Sequence, residues 1–222
     1  MKTKVNGVSF AKAVLFFSLL AGQAVAGPFL GADISSGTIL TTNANSFIVG
    51  WEFHTDIPLD VIGLGYFDFG ADGLTQSHNV ALFSADGQGL ALTNVNNATA
   101  VAFPSAFPFS QWLFGVSQSP FLTLQPGDYV LASVVNANND DYVGFANLTL
   151  FPGLTYLGER DGLFFGDPIS FPGNSTPGFG TGMFGPNILF ANAPGEVPEP
   201  ASLALIGSGL AALCLAKRRR KG

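Results

Sequence analysis

The sequence is poor in cysteine, and this shortage excludes both a disulfide-stabilised domain and an enzyme with a catalytic cysteine. The single cysteine, Cys214, lies within an apolar run and is a candidate neither for a structural disulfide nor for a catalytic thiol. The segment between residues 27 and 196 has no cysteine at all. An exported domain of that length must therefore be stabilised by its hydrophobic core.

Basic residues are also scarce in the middle of the chain. Of the nine Lys and Arg, three lie in the first twelve residues and five follow Ala216, which leaves Arg160 alone between them. All fifteen Asp and Glu lie between Asp33 and Glu199, so residues 27–200 carry a net charge of −14. Such a charge repels phosphate backbones, and it excludes nucleic acid as a partner.

Groups suited to catalysis are few. The chain has two histidines, His54 and His78, and it lacks the Gly-x-Ser-x-Gly pattern of a nucleophile elbow. Carboxylates are numerous enough for a glycosidase-type pair, but most of them stand beside Gly, Asn or Pro, where Asp forms turns. We therefore expect a protein that is not an enzyme.

Residues 1–26 have the three parts of a secretory signal peptide. Three lysines accompany an apolar run over residues 13–21, and Ala24 and Ala26 form an Ala-x-Ala cleavage site before Gly27. The apolar run is too short to span a bilayer comfortably. We expect export with cleavage after Ala26.

The C-terminal residues form three consecutive blocks. A proline-containing motif precedes an apolar run over residues 201–216 and a basic run over residues 217–222. The motif is Val197, Pro198, Glu199, Pro200, and the basic residues are Lys217, Arg218, Arg219, Arg220, Lys221. As a helix the sixteen apolar residues would span about 24 Å, against about 30 Å for a hydrocarbon core. We predict a short transmembrane helix over residues 201–216 whose basic tail stays in the cytoplasm.

These three blocks closely resemble the PEP-CTERM sorting signal, which is recognised by exosortase, a membrane-embedded processing enzyme of Gram-negative bacteria that make exopolysaccharide. The same tail is sometimes labelled an ice-binding-protein C-terminal domain, a label that describes the tail rather than the body. The resemblance implies a transient inner-membrane anchor, removal of the tail after export, and delivery to the cell surface or the exopolysaccharide matrix.

Alternating apolar residues predict strands throughout the body of the chain. Phe47, Val49, Trp51 and Phe53 fall two apart, as one face of a strand requires. The other predicted strands cover residues 59–69, 79–84, 89–93, 99–103, 111–116, 142–150 and 187–191, and two more flank a turn at Pro126 and Gly127 within residues 122–131. The pattern predicts an all-β fold, a single jelly-roll-like β-sandwich over residues 27–196.

Two stretches of the body are predicted to be mostly irregular. Residues 27–45 are expected to be a loose lead-in with one edge strand at residues 38–40. Residues 151–184, where Gly and Pro recur every few positions, are expected to form a long excursion. The body also resembles an uncharacterised β-sandwich domain common in PEP-CTERM proteins, through residues 50–53, 77–83, 126–131 and 184–187. That resemblance implies no catalytic residues.

Pro126 and Gly127 predict a corner between two strands. Pro sets φ for the second position of a type II turn and Gly accepts the positive φ of the third. Tyr129 follows two residues later, in a Leu-x-Pro-Gly-x-Tyr pattern that recurs in extracellular β-sandwiches. We expect Tyr129 to pack against the corner.

Two loops concentrate carboxylates that are suited to calcium. Asp68, Asp72, Asp140 and Asp141 are hard oxygen donors, and Ca²⁺ takes six to eight such ligands. Neither loop has the spacing of an EF-hand, and zinc is not expected because His and Cys are not clustered. Calcium is therefore the one cofactor that the sequence suggests.

Aromatic residues suggest where a ligand would bind. Candidates for a sugar-binding surface are Trp51, Trp112, Phe164, Phe165 and Phe179, although strand spacing makes core packing the default. A Phe-rich stretch at residues 161–184 would form a partner-binding patch if it is exposed. We expect a non-catalytic body with a structural or binding role; the alternative is a carbohydrate-binding or ice-binding extracellular module.

Overall fold

Fifteen β-strands and no helix make up the described part of the chain. The structure, a computed structural model, describes residues 27–41, 46–117, 120–136, 140–164, 166, 169–175 and 182–191. The predicted signal peptide and the predicted sorting segment lie outside these residues. None of the described residues belongs to a helix that is long and apolar enough to cross a bilayer. The predicted all-β character is confirmed.

The strands are numbered in their order along the chain. They are β1 Phe29–Leu30, β2 Ala32–Leu40, β3 Phe47–Thr55, β4 Leu59–Phe69, β5 His78–Ser84, β6 Gly89–Val95, β7 Val101–Pro104, β8 Ser110–Val116, β9 Leu122–Leu124, β10 Gly127–Val135, β11 Tyr142–Leu150, β12 Leu154–Leu163, β13 Asn174–Ser175, β14 Met183–Phe184 and β15 Pro186–Phe190.

The strands form three antiparallel sheets. The first has the order β1-β15-β4-β8-β7, with β9 paired to another part of β4. The second has the order β13-β12-β3-β10-β5-β6. The third is smaller, with the order β14-β11-β2.

Trp51 on β3 lies where the three sheets meet. Its side chain is completely buried, and its indole Nε1 donates a hydrogen bond of 3.0 Å to the carbonyl of Pro186 on β15. Its ring centroid is 5.7 Å from that of Phe184 on β14. The predicted alternation of β3 produces this arrangement, because Val49, Trp51 and Phe53 all enter the main core.

A smaller apolar cluster covers the opposite face of the second sheet. Ile48, Phe83 and Val130 point to that face, where Ile169 lies over them. Phe171 packs edge-on against Phe83, with ring centroids 5.6 Å apart. The chain that follows β12 therefore serves as a cover for this sheet.

The prediction of an irregular excursion over residues 151–184 is wrong for its first part. Strand β12 pairs along the whole length of β3, with a register shift between Tyr156 and Gly158. The centre of β12 is polar, so its sequence lacks the alternating apolar pattern of a strand. The sheet tolerates Arg160 there because Glu52 on the neighbouring strand neutralises it. The lead-in is likewise more ordered than predicted, since β2 pairs with β11.

The corner at Pro126 joins two sheets rather than two neighbouring strands. Strand β9 pairs with β4 in the first sheet, whereas β10 pairs with β3 and β5 in the second. The φ of Gly127 is 157°, far from the roughly 80° of a type II turn, so the predicted turn type is wrong. Tyr129 does pack against the corner, since its hydroxyl donates a hydrogen bond of 2.8 Å to the carbonyl of Gln125.

Candidate binding surface

Asp68 lies near the end of β4 and Asp72 in the turn that follows it, and the two have different surroundings. Asp68 is only 2% exposed, and its Oδ2 accepts hydrogen bonds from the Gly73 amide at 3.1 Å and from Gln111 Nε2 at 2.7 Å. Burial raises the pKa of Asp68, against the effect of these two donors. Asp72 is exposed, and its carboxylate lies over Gly70. Asp68 therefore builds the turn, and Asp72 is the carboxylate that the turn presents to solvent.

Asp140 is tied to the start of β5. Its Oδ2 is 2.8 Å from Nε2 of the fully buried His78, and its Oδ1 accepts the Thr75 amide at 2.8 Å. Burial opposes ionisation of Asp140, but the donors from His78 and Thr75 outweigh it and lower the pKa of this carboxyl. Asp141 accepts a hydrogen bond from the hydroxyl of Thr41.

The four predicted calcium ligands are not gathered around one point. Among the described residues, no group of three or more His, Cys, Asp or Glu side chains is arranged to hold a metal ion. Asp68 and Asp140 are close enough for the charge of Asp140 to raise the pKa of Asp68, yet each carboxylate is already occupied by protein donors. The described residues therefore hold no preformed calcium centre, and a calcium ion at Asp68 or Asp140 would have to displace protein donors.

Arg160, the single basic residue of the body, is used inside the fold. Its Nε and Nη2 atoms donate to Oε2 of Glu52 at 3.0 and 2.8 Å, and both side chains are mostly buried. Its guanidinium also lies 5.6 Å from the centroid of the Phe171 ring. His54 is held between carboxylates, with Nδ1 2.5 Å from Asp128 and Nε2 3.3 Å from Asp56. The body therefore presents far more negative than positive charge to a partner.

Most of the aromatic residues predicted as sugar contacts are unsuitable for that role. Trp51 and Trp112 are fully buried and belong to the main core, as the default of core packing predicted. Phe164 packs beside the outer cluster of the second sheet and is only partly exposed. Phe165 and Phe179 lie outside the described residues.

A different group of aromatic residues is exposed at one end of the first sheet. We call Phe69, Phe107 and Phe109 the aromatic apex. Phe109 is 86% exposed and Phe69 is 40% exposed. The ring of Phe107 joins this group to the core, with centroids 6.1 Å from Phe69 and 5.8 Å from the buried Phe67.

The backbone of Phe109 adopts an unusual conformation. Its φ is 57°, in the left-handed region, which costs about 1–3 kcal/mol for a residue other than glycine. Leaving its ring in water also forgoes about 1.5–3 kcal/mol of burial. Phe145 on β11 shares this combination, with a φ of 52° and 60% exposure, so what distinguishes Phe109 is its place in the aromatic apex.

Hydrogen bonds from neighbouring strands and loops hold the apex in this conformation. The carbonyl of Phe109 accepts the Gly70 amide at 2.7 Å, and Ser110 Oγ donates to the carbonyl of Phe107 at 2.8 Å. From β2, the carboxylate of Asp33 accepts the Ala106 amide at 3.0 Å. The loop is therefore fixed on both sides of the exposed ring.

The predicted strands 99–103 and 111–116 leave residues 104–110 outside any strand, and the residues of the aromatic apex are not among the predicted ligand contacts. The available signal was a run of Phe and Pro without any charge, Phe103, Pro104, Phe107, Pro108 and Phe109. What that run does not reveal is which ring is buried. Phe107 and Phe109 differ in exposure because of contacts to β4, which is distant in sequence.

The comparisons with known proteins concern the C-terminal segment. No curated protein matches the chain significantly. The sequence model of the PEP-CTERM protein-sorting motif matches residues 196–221, which contain the predicted proline motif, apolar run and basic run. The chain therefore carries a PEP-CTERM protein-sorting motif.

Proposed function

We propose that this protein is exported across the inner membrane of a Gram-negative bacterium and sorted by exosortase to the cell surface or the exopolysaccharide matrix. The match of the sorting motif to residues 196–221 is the observation that carries this proposal. An exported, cysteine-free body that is all-β in its described part is consistent with such a destination. In this proposal the signal peptide is removed after Ala26, and the segment 201–216 anchors the chain until exosortase acts.

We propose that the body is a jelly-roll-like sandwich with a structural or binding role and without catalysis. The surroundings of the two histidines support this view. His78 is fully buried, and its Nδ1 and Nε2 atoms contact the carbonyl of Val134 and the carboxylate of Asp140. His54 is held by Asp128 and Asp56, with carboxylates at both of its ring nitrogens. Each imidazole is thus committed to structural contacts.

A carbohydrate-binding module is the second candidate, and the aromatic apex is the observation that favours it. Phe109 offers a ring that is 86% exposed on a loop fixed by hydrogen bonds. Exposed aromatic rings are a common means of binding sugars, and the matrix in which we place the protein is itself polysaccharide.

Processing is tested by intact mass and cell fractionation. In a host with exosortase, we expect the mature protein to lack Lys217–Gly222 and to leave the inner membrane. In the same host with its exosortase deleted, the tail should be retained. A variant with Pro198→Ala and Pro200→Ala should behave like the deletion, whereas Pro194→Ala, outside the motif, should be processed normally. Retention of the tail in the intact host, with the protein stable in the inner membrane, would show an ordinary anchor instead.

A further inference from the structure

The aromatic apex combines an exposed ring with an exposed carboxylate. The Gly70 amide donates to the carbonyl of Phe109 at 2.7 Å, and the Asp72 carboxylate folds over the same glycine. An oxygen of Asp72 lies 3.3 Å from the position that a Cβ on Gly70 would occupy. The backbone of Phe109 and the carboxylate of Asp72 thus both lie against Gly70, which brings an exposed aromatic residue and an exposed carboxylate to the same end of the first sheet.

The carboxylate and the ring select for the same kind of ligand. The face of an aromatic ring carries negative electrostatic potential, which attracts a cation held over it. A carboxylate attracts a cation and also accepts hydrogen bonds from ammonium and hydroxyl groups. A sugar ring that carries an ammonium group would stack its C–H face on Phe109 and pair its charged substituent with Asp72.

The charge of the whole body favours the same ligand. Residues 27–200 carry a net charge of −14, and their single Arg is paired internally with Glu52. The resulting field repels uronic acids, sulfated sugars and anionic lipid headgroups, and it attracts polycations. Residues 101–109 carry no charge, so a cationic polymer that approaches the apex meets no positive side chain in that loop.

We propose that the aromatic apex, together with Asp72, binds a polysaccharide with free amino groups. A sugar ring stacks on Phe109, and an ammonium group pairs with Asp72. This inference rests on the proposed delivery of the protein to a polysaccharide matrix, which is why the polymer is a sugar rather than a basic peptide.

The test is a calorimetric titration of the full chain, purified in a non-ionic detergent, with a glucosamine hexamer. Its fully N-acetylated counterpart has the same backbone without the charge, and pentalysine supplies the charge without the sugar. We expect saturable binding of the glucosamine hexamer and binding of the other two that is at least about tenfold weaker, the size of one hydrogen bond to a charged group.

Variants locate the binding to the apex. Phe109→Gly, which also relieves the left-handed backbone, and Asp72→Asn should each weaken binding by about tenfold. Phe145→Gly removes another exposed Phe with positive φ, and Asp86→Asn changes another exposed Asp that precedes a turn glycine. Both of these matched variants should bind normally. Circular dichroism and thermal melts verify that all four variants are folded.

Several results would overturn the proposal. Equal binding of the acetylated hexamer removes the role of the charge, and tighter binding of pentalysine indicates a basic peptide as the partner. Binding that survives Phe109→Gly but disappears in salt indicates diffuse attraction to the acidic surface, and an absence of binding removes the site altogether. None of these results depends on processing, so a correctly sorted protein that does not bind contradicts this inference and leaves the proposed function intact.

Discussion

Tyr66 on β4 stacks face to face on His78 of β5, with ring centroids 3.7 Å apart and planes inclined by only 7°. The contact joins the first sheet to the second, and both side chains are fully buried. His78 is held on its other sides by the carbonyl of Val134 and by Asp140. The stack therefore links the two sheets to the connection between β10 and β11.

Replacing Tyr66 with Phe should stabilise the protein. The buried hydroxyl of Tyr66 has no hydrogen-bond partner in the described part of the structure, and burial raises its pKa well above the ordinary value. Removing an unsatisfied buried hydroxyl while keeping the stacked ring should raise the free energy of unfolding by about 1 kcal/mol. Urea denaturation measures this difference.

Tyr129→Phe is the matched control for that substitution. The hydroxyl of Tyr129 makes a hydrogen bond of 2.8 Å to the carbonyl of Gln125, so its removal should lower the free energy of unfolding by about 0.5–1.5 kcal/mol. If Tyr66→Phe destabilises the protein as much as Tyr129→Phe does, the hydroxyl of Tyr66 has a partner after all, such as a buried water.

The ion pair between Arg160 and Glu52 should show strong coupling in a double-mutant cycle. Either single change, Arg160→Met or Glu52→Gln, leaves a mostly buried charge without its partner, and Arg160→Met should cost about 3 kcal/mol. The double variant should be more stable than the sum of the single effects predicts, by more than about 1 kcal/mol. Additive effects would show that solvent screens the pair, as it does at a protein surface.

The clearest parts of the fold could be predicted from local sequence because burial repeats with the period of a strand. The predicted bounds of residues 59–69 and 142–150 coincide with β4 and β11, although each contains polar residues. Strand β12 could not be predicted in this way, because its residues lack that repeating pattern. Glu159, Arg160 and Asp161 form an unbroken run of charge, and the contact of Arg160 with Glu52 on β3 helps to make that run compatible with a sheet.

The candidate binding surface could be predicted only in part. The sequence places Asp68 and Asp72 in one loop; Asp72 does lie in the turn after β4, whereas Asp68 is the last but one residue of β4 itself. The exposure of Phe109 depends instead on the Gly70 amide and on Asp33 of β2, whose carboxylate holds Ala106 from 73 residues away. No local pattern reveals contacts at such a separation, and a phenylalanine is not expected at positive φ.

Asp140 should make the protein sensitive to acid. Its pKa is lowered in the folded state by His78 and Thr75, despite burial, so its contribution to stability is present above the unfolded value near 3.9. That contribution is lost as the pH falls through the lower, folded pKa. Asp140→Asn should therefore flatten the loss of stability below about pH 4, measured by urea denaturation at a series of pH values.

Asp141→Asn is the control for the acid dependence, because Asp141 is adjacent in sequence and bonds to Thr41 rather than to His78. Comparison of the two variants separates the loss of the bonds to His78 and Thr75 from the loss of one negative charge at this position. An unchanged acid limb in Asp140→Asn would show that the bonds to His78 and Thr75 do not determine the ionisation of Asp140.

Calcium should stabilise the protein no more than sodium chloride of the same ionic strength does. The carboxylates of Asp68 and Asp140 accept hydrogen bonds from Gly73, Gln111 and His78, and a metal ion would have to displace some of these donors. A site that bound calcium in the folded state alone would add about 2.7 kcal/mol to the free energy of unfolding at a hundredfold excess over Kd.

Thermal melts in millimolar calcium, in chelator and in sodium chloride of matched ionic strength separate such binding from screening of a body with net charge −14. We expect equal Tm values in calcium and in sodium chloride. A higher Tm in calcium that Asp140→Asn abolishes would instead establish the calcium site predicted from the sequence.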